Sequence, residues 1–237
     1  MDIYATIVAF FQNGGVFMFP IALVMAIGIA IALERWLFLT RQTVSNRRDY
    51  EKLMPLLRAQ KTREVQELAS QSKSAVAKLA ADGVARRAFS RRRADLESGM
   101  EEQLLEVIPH IERRTPYLAT YANVATLLGL LGTIMGLIAA FTAVQMADST
   151  QKAAMLSESI SVSMNCTAFG LMVAIPLLII HSLLQSKTNT IVESLEITVV
   201  KFLNLLEDKS TDRPSMEKAA VSHKAPAAGH APSPAKA

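Results

Sequence analysis

Residues 117–146 read YLATYANVATLLGLLGTIMGLIAAFTAVQM, thirty positions without an ionised side chain. Crossing a bilayer's hydrocarbon core takes about 20 helical residues, so this run is long enough to span and to tilt or project beyond the membrane. Two further windows share the property. Nothing ionised at neutral pH lies between Asp2 and Glu34 or between Glu158 and Lys187, and both stretches are rich in Leu, Ile, Val, Ala, Met and Phe. The first is not a secretory signal by its pattern: it lacks a basic leading region, its apolar run is too long, and no small-residue cleavage site follows. The fold class expected is therefore an all-α membrane protein with three transmembrane helices and a cytoplasmic helical domain.

Charge fixes the expected orientation. Residues 35–114 hold seventeen Lys and Arg against eleven Asp and Glu, whereas residues 1–14 and 147–158 together hold a single Lys. Basic residues concentrate on the cytoplasmic side, which places the large loop and the C-terminus inside and the N-terminus outside. The plan that results is an external segment 1–14, a first span 15–39, a cytoplasmic helical domain 40–116, a second span 117–146, an external periplasmic loop 147–158, a third span 159–186, a cytoplasmic helix 187–210 and a disordered tail 211–237. Pro55 and Ser70 to Ser74 are expected breaks within the cytoplasmic domain, Pro109 and Pro116 expected kinks. A short amphipathic helix is expected over Val192–Leu206, and the Pro/Ala/Lys tail buries too little to fold. Interleaved acids and flanking spans argue against nucleic-acid binding by the clusters Arg86-Arg87 and Arg91-Arg92-Arg93. Glu34, Arg35 and Trp36 at the end of the first span read as interfacial anchors.

Small and hydroxylated residues inside the spans are the informative ones. Helical spacing puts Thr126, Gly129, Thr133, Gly136 and Ala140 on one face of the second span, a surface on which backbones approach closely. In the third span Ser159, Ser163 and Thr167 recur every four residues as a hydroxyl ridge. A lone hydroxyl satisfies itself on the carbonyl one turn back; a ridge with Thr133 on a neighbouring span suggests a polar lining for water or an ion. Gly132, Gly170 and the interior Pro176 join the packing candidates, as does Cys166, the single cysteine. The spans carry no Asp, Glu, Lys, Arg or His between 15 and 33, 117 and 146, or 159 and 180. Intramembrane ionisable groups mark proton relays, so any titratable group must come from a partner. No phosphate loop, metal-spaced His or Cys pair, or nucleophile motif supports an enzyme, a metal or a cofactor.

Two stretches resemble the ExbB/TolQ/MotA channel family. They are Leu127-Leu128-Gly129-Leu130-Leu131-Gly132-Thr133 with Gly136 and Phe141, and Asn165-Cys166-Thr167-Ala168-Phe169-Gly170-Leu171 with Ala174-Ile175-Pro176. Glu34-Arg35 at the end of the first span is similar to ExbB and TolQ. Thr126 stands where the family commonly has Pro, and Val162 where it has Glu. The resemblance implies a multi-pass bacterial inner-membrane protein that forms a homopentamer, its second and third spans lining a pore. It also implies a dimeric ExbD/TolR-like partner whose single spans each bring a membrane aspartate, with Thr133 and Thr167 facing it, and a downstream TonB-like protein. The function expected is a motor stator that couples proton or sodium motive force to work. The alternative is a non-conducting scaffold that anchors a partner complex in the bilayer.

Overall fold

The computed structural model describes residues 15–90, 92–146 and 150–206. Six helices account for nearly all of them: α1 Met18–Arg58, α2 Thr62–Ser70, α3 Ala75–Phe89, α4 Arg93–Glu112, α5 Thr115–Met146 and α6 Lys152–Leu206. No strand occurs among the described residues. Among the described residues, three long helices are apolar enough to cross a membrane, one near the N-terminus, one containing α5, and α6. The chain is an all-α membrane protein.

The long helices outrun the bilayer. At a rise of about 1.5 Å per residue, the 41 residues of α1 and the 55 of α6 extend roughly 60 and 80 Å, against a hydrocarbon core of about 30 Å. Their buried positions explain why they stay together. Met18, Ile21, Gly28, Ala32, Arg35, Leu39, Asn46, Asp49 and Leu53 of α1 are buried, a spacing of three, four or seven that keeps one seam inward. Along α6 the same spacing runs from Ser163 through Leu177, Leu184 and Ile191 to Phe202 and Leu206.

Several expected boundaries move. Pro55 lies inside the last turns of α1, and the chain turns instead at Ala59–Lys61, where Gln60 adopts φ 58°. The break expected at Ser70–Ser74 is present, and Ser74 caps α3 by accepting a hydrogen bond from the Ala77 N–H at 3.1 Å. Pro109 sits inside α4, which ends at Glu112, and Pro116 falls in the first turn of α5, where its missing N–H costs nothing. The third span and the following amphipathic segment form one helix, because no Gly or Pro interrupts residues 177–206. That helix also begins at Lys152, so more than half of the expected loop 147–158 is helical. Segment 1–14, residues 147–149 and the tail 211–237 lie outside the described residues.

Beyond the spans, α2, α3 and α4 pack against the ends of α1 and α6. Leu53, Val65, Leu79, Leu96, Met100, Phe202 and Leu206 form part of a buried apolar cluster there. Asn46 Oδ1 accepts the Ala75 N–H at 3.1 Å, pinning the start of α3 to α1.

Candidate functional site

The face of α5 that meets α6 is small and includes Gly129 and Gly136 of the expected face. Ala122, Ala125, Gly129 and Gly132 are buried, with Ala140 farther along. A Cβ on Gly129 would stand 3.3 Å from the Thr167 and Gly170 Cα atoms, and one on Gly170 would stand 2.7 Å from the Ala125 carbonyl oxygen. Backbone therefore touches backbone across the seam. Gly132 makes room for the Cys166 sulfur and Gly136 for the Ser163 hydroxyl.

Thr126 and Pro176, two of the expected packing residues, are both exposed in the single chain. Thr126 is exposed in the single chain and donates to the Ala122 carbonyl of its own helix at 3.2 Å. Spacing of three or four admits either neighbour of Ala125 to a face, and the smaller side chain takes the contact. Pro176 is exposed within α6.

The close approach brings two hydroxyls together. Thr167 Oγ1 donates across the seam to the Gly129 carbonyl at 2.9 Å. Thr133 Oγ1 lies 2.7 Å from the Leu130 carbonyl and 3.4 Å from that of Gly129. The two threonine oxygens are 3.1 Å apart. Two protons thus serve more acceptors than they can satisfy at once, and both side chains are only partly buried. Such a pair donates to an anion by rotating a hydroxyl, or accepts from an acid through a spare lone pair.

The rest of the ridge behaves differently. Ser163 is buried and donates to the Ser159 carbonyl at 2.8 Å, while Ser159 is half-buried one turn farther along α6. The structure brings Thr133 and Thr167 into contact and leaves the serines as a column leading to them along α6. Gly28 of α1 faces Leu177 of α6, so the first span packs against the third.

Arg35 is the residue whose surroundings the sequence did not disclose. Read as an interfacial anchor, it is instead 3% exposed. Its Nε donates to Thr115 Oγ1 at 3.2 Å, and a terminal guanidinium nitrogen donates to the Ile111 carbonyl. Glu34 beside it pairs with Arg114 at 2.6 Å. Arg114 holds φ 70° between α4 and α5, so the base of the first span is bolted to the turn that starts the second. Glu34 and Trp36 keep the exposed positions expected of anchors, and Lys187 lies 4.8 Å above the Trp36 ring. A mutually opposite charge at Glu34 and at Arg113-Arg114 was the available signal.

Residues 71–197, just over half of the chain, match the family model described as the MotA/TolQ/ExbB proton channel family. The Tol-Pal system protein TolQ of Haemophilus influenzae is 32% identical over 99 residues, covering 42% of this chain and 43% of its own. A biopolymer transport protein ExbB homolog of Methanothermobacter thermautotrophicus is 26% identical over 198 residues, 83% of this chain and 69% of its own. An ExbB-like protein of Helicobacter pylori is 31% identical over 97 residues, 41% and 63% of the two chains. The alignment with the Haemophilus protein thus spans less than half of that protein's length.

Proposed function

The chain belongs to the MotA/TolQ/ExbB proton channel family, and on that premise we propose that it is the channel-forming stator subunit of an ion-driven motor in the bacterial inner membrane. Copies of the chain, five by resemblance to the family, surround the single spans of an ExbD/TolR-like partner, each bearing one membrane aspartate. The Thr133–Thr167 pair faces that carboxylate. It donates to the ionised form and accepts from the protonated one, while Ser163 and Ser159 continue the polar path along α6. Charge moving across 100 mV releases about 2.3 kcal/mol, enough per ion to break a few helix contacts and rearrange pentamer against partner. The work is delivered to an envelope process through a TonB-like protein.

One observation carries this reading: two hydroxyls with competing acceptors meet between stretches 117–146 and 159–180, which hold no Asp, Glu, Lys, Arg or His. The test is Thr167→Val in the complex reconstituted with the partner, read by proton flux under an imposed potential. Flux should fall at least tenfold with subunit stoichiometry and partner binding unchanged, and Thr167→Ser should recover part of it. Full flux in Thr167→Val would return the pair to a packing role. Orientation is checked by Ser90→Cys in a Cys166→Ser background: the thiol should resist impermeant reagents added to intact cells and react in inverted vesicles.

A further inference from the structure

We propose that the groove between α1 and α2, just beyond the first span, binds the phosphate headgroup of an anionic phospholipid. The inference goes beyond the channel reading and rests on a different part of the molecule. The side of α1 turned away from its packed seam is apolar within the membrane: Leu23, Ile27, Leu33 and Leu37 are all exposed there. Positions seven apart lie within about 20° of one another on a helix, so the line through Ile27 and Glu34 continues to Arg41 and Arg48, and the line through Leu37 continues to Val44. The lipid-facing stripe leaves the membrane and turns basic.

Arg41, Arg48 and Lys52 line a groove of about 480 Å³ together with Ser45 and Ser72, a size within the roughly 300–1,000 Å³ of small-ligand sites. None of the three cations has a carboxylate within ion-pair distance among the described residues, whereas neighbouring Arg47 is paired with Glu51. One carboxylate, Asp49, also lines the groove; it is buried and accepts the Ser72 hydroxyl. Three cations against one engaged carboxylate leave the groove positive.

Direction favours a lipid over a soluble anion. Helical Cα–Cβ bonds lean toward the N-terminus, which for α1 is the membrane end, so these side chains lean back toward the headgroup layer. Arg41 lies about 8 Å along the axis from the interfacial Trp36 and Arg48 about 18 Å, placing the first at phosphate depth and the second below it. The exposed Leu33, Leu37 and Val44 give the acyl chains of the same lipid an apolar track into the groove. Basic residues close to a membrane surface attract acidic lipid headgroups.

The test uses the full chain in a neutral detergent, titrated with phosphatidylglycerol or phosphatidylcholine and read by native mass spectrometry. Arg41→Gln/Arg48→Gln/Lys52→Gln should weaken phosphatidylglycerol binding at least tenfold and leave phosphatidylcholine unchanged. The charge-matched control Arg63→Gln/Lys78→Gln/Arg92→Gln, on exposed positions away from the groove, should change it less than twofold. Arg48→Glu alone should produce a loss of the same order at unchanged oligomer mass. Equal losses in groove and control variants would overturn the proposal in favour of diffuse charge. So would unaltered binding in the groove variants. Displacement of the lipid by millimolar inorganic phosphate, or by glycerol phosphate as effectively as by the lipid, would overturn it in favour of a soluble-anion site.

Discussion

The α5–α6 seam inside the membrane and the helical bundle beyond it solve the same packing problem with opposite materials. In the seam, Gly129 and Gly170 let two backbones touch, and the cross-helix bond runs from a hydroxyl to a carbonyl. In the bundle, Met100, Phe202 and Leu206 fill the space between helices, and charge stays at the rim apart from the buried Asp49, which accepts the Ser72 hydroxyl. There Arg86 pairs with Asp82 and Glu102, both at 2.8 Å, and their hydrogen bonds raise its pKa above the ordinary value. The solvent explains the contrast. Water drives large apolar side chains together, whereas lipid supplies no such drive, and helices associate there by close approach and hydrogen bonds.

Glycines in the two regions should therefore respond oppositely to the same methyl group. Gly170→Ala has the largest expected effect, because its Cβ meets the Ala125 carbonyl and the Gly129 Cα, backbone atoms that cannot yield. We expect a net loss of about 3 kcal/mol, at the upper end for overpacking, visible as loss of the oligomer or a steep fall in the thermal midpoint. Survival of Gly170→Ala at wild-type stability would show that the seam is looser than its geometry.

Arg35→Met comes next and tests the junction between the two regions. It keeps the aliphatic stem but leaves the Thr115 hydroxyl and the Ile111 carbonyl without their cationic partner. The expected cost is about 2 kcal/mol, in the range for hydrogen bonds to charged groups. The fluorescence of Trp36, the only tryptophan, sits next to the change and reports unfolding directly. No change in the unfolding midpoint would return Arg35 to the role of a surface anchor.

Thr167→Val should cost only about 1 kcal/mol of stability, typical of an interhelical hydrogen bond in a membrane, and its main consequence is on flux. Gly83→Ala has the smallest expected effect and the opposite sign. Its new Cβ meets the ends of Leu206 and Met100, flexible side chains that can move aside. Relief of the glycine's helical penalty, about 1 kcal/mol, then outweighs the contact, and the midpoint should rise slightly. A fall as large as that of Gly170→Ala would erase the distinction between the two regions.

The segment 117–146 discloses its span because the bilayer rewards one thing, an uncharged run of sufficient length, and that property is written along the chain. The hydroxyl ridge of α6 and the glycines of α5 were legible for the same reason, since helical spacing alone sets which residues share a face. Spacing did not distinguish Thr126 from Ala125 as the buried residue, nor show that Pro176 is exposed in the single chain. A face of three-and-four spacing has a width of two residues, and the neighbouring helix selects between them.

Arg35 marks the limit more sharply. Glu34-Arg35-Trp36 reads as three equivalent anchors, yet one is buried on the α4–α5 turn, one is paired with Arg114, and one is exposed. The break positions also belong to tertiary structure: Pro55 and Pro109 are accommodated in helices, and the chain turns at Gln60 and Arg114. The sequence by itself determined the three spans, the all-helical class and the small, uncharged character of the seam, because local hydropathy and period govern those. Only the tertiary structure decided which hydroxyls meet and which charge is caged, because both depend on residues that are 34 and 80 positions apart in the chain.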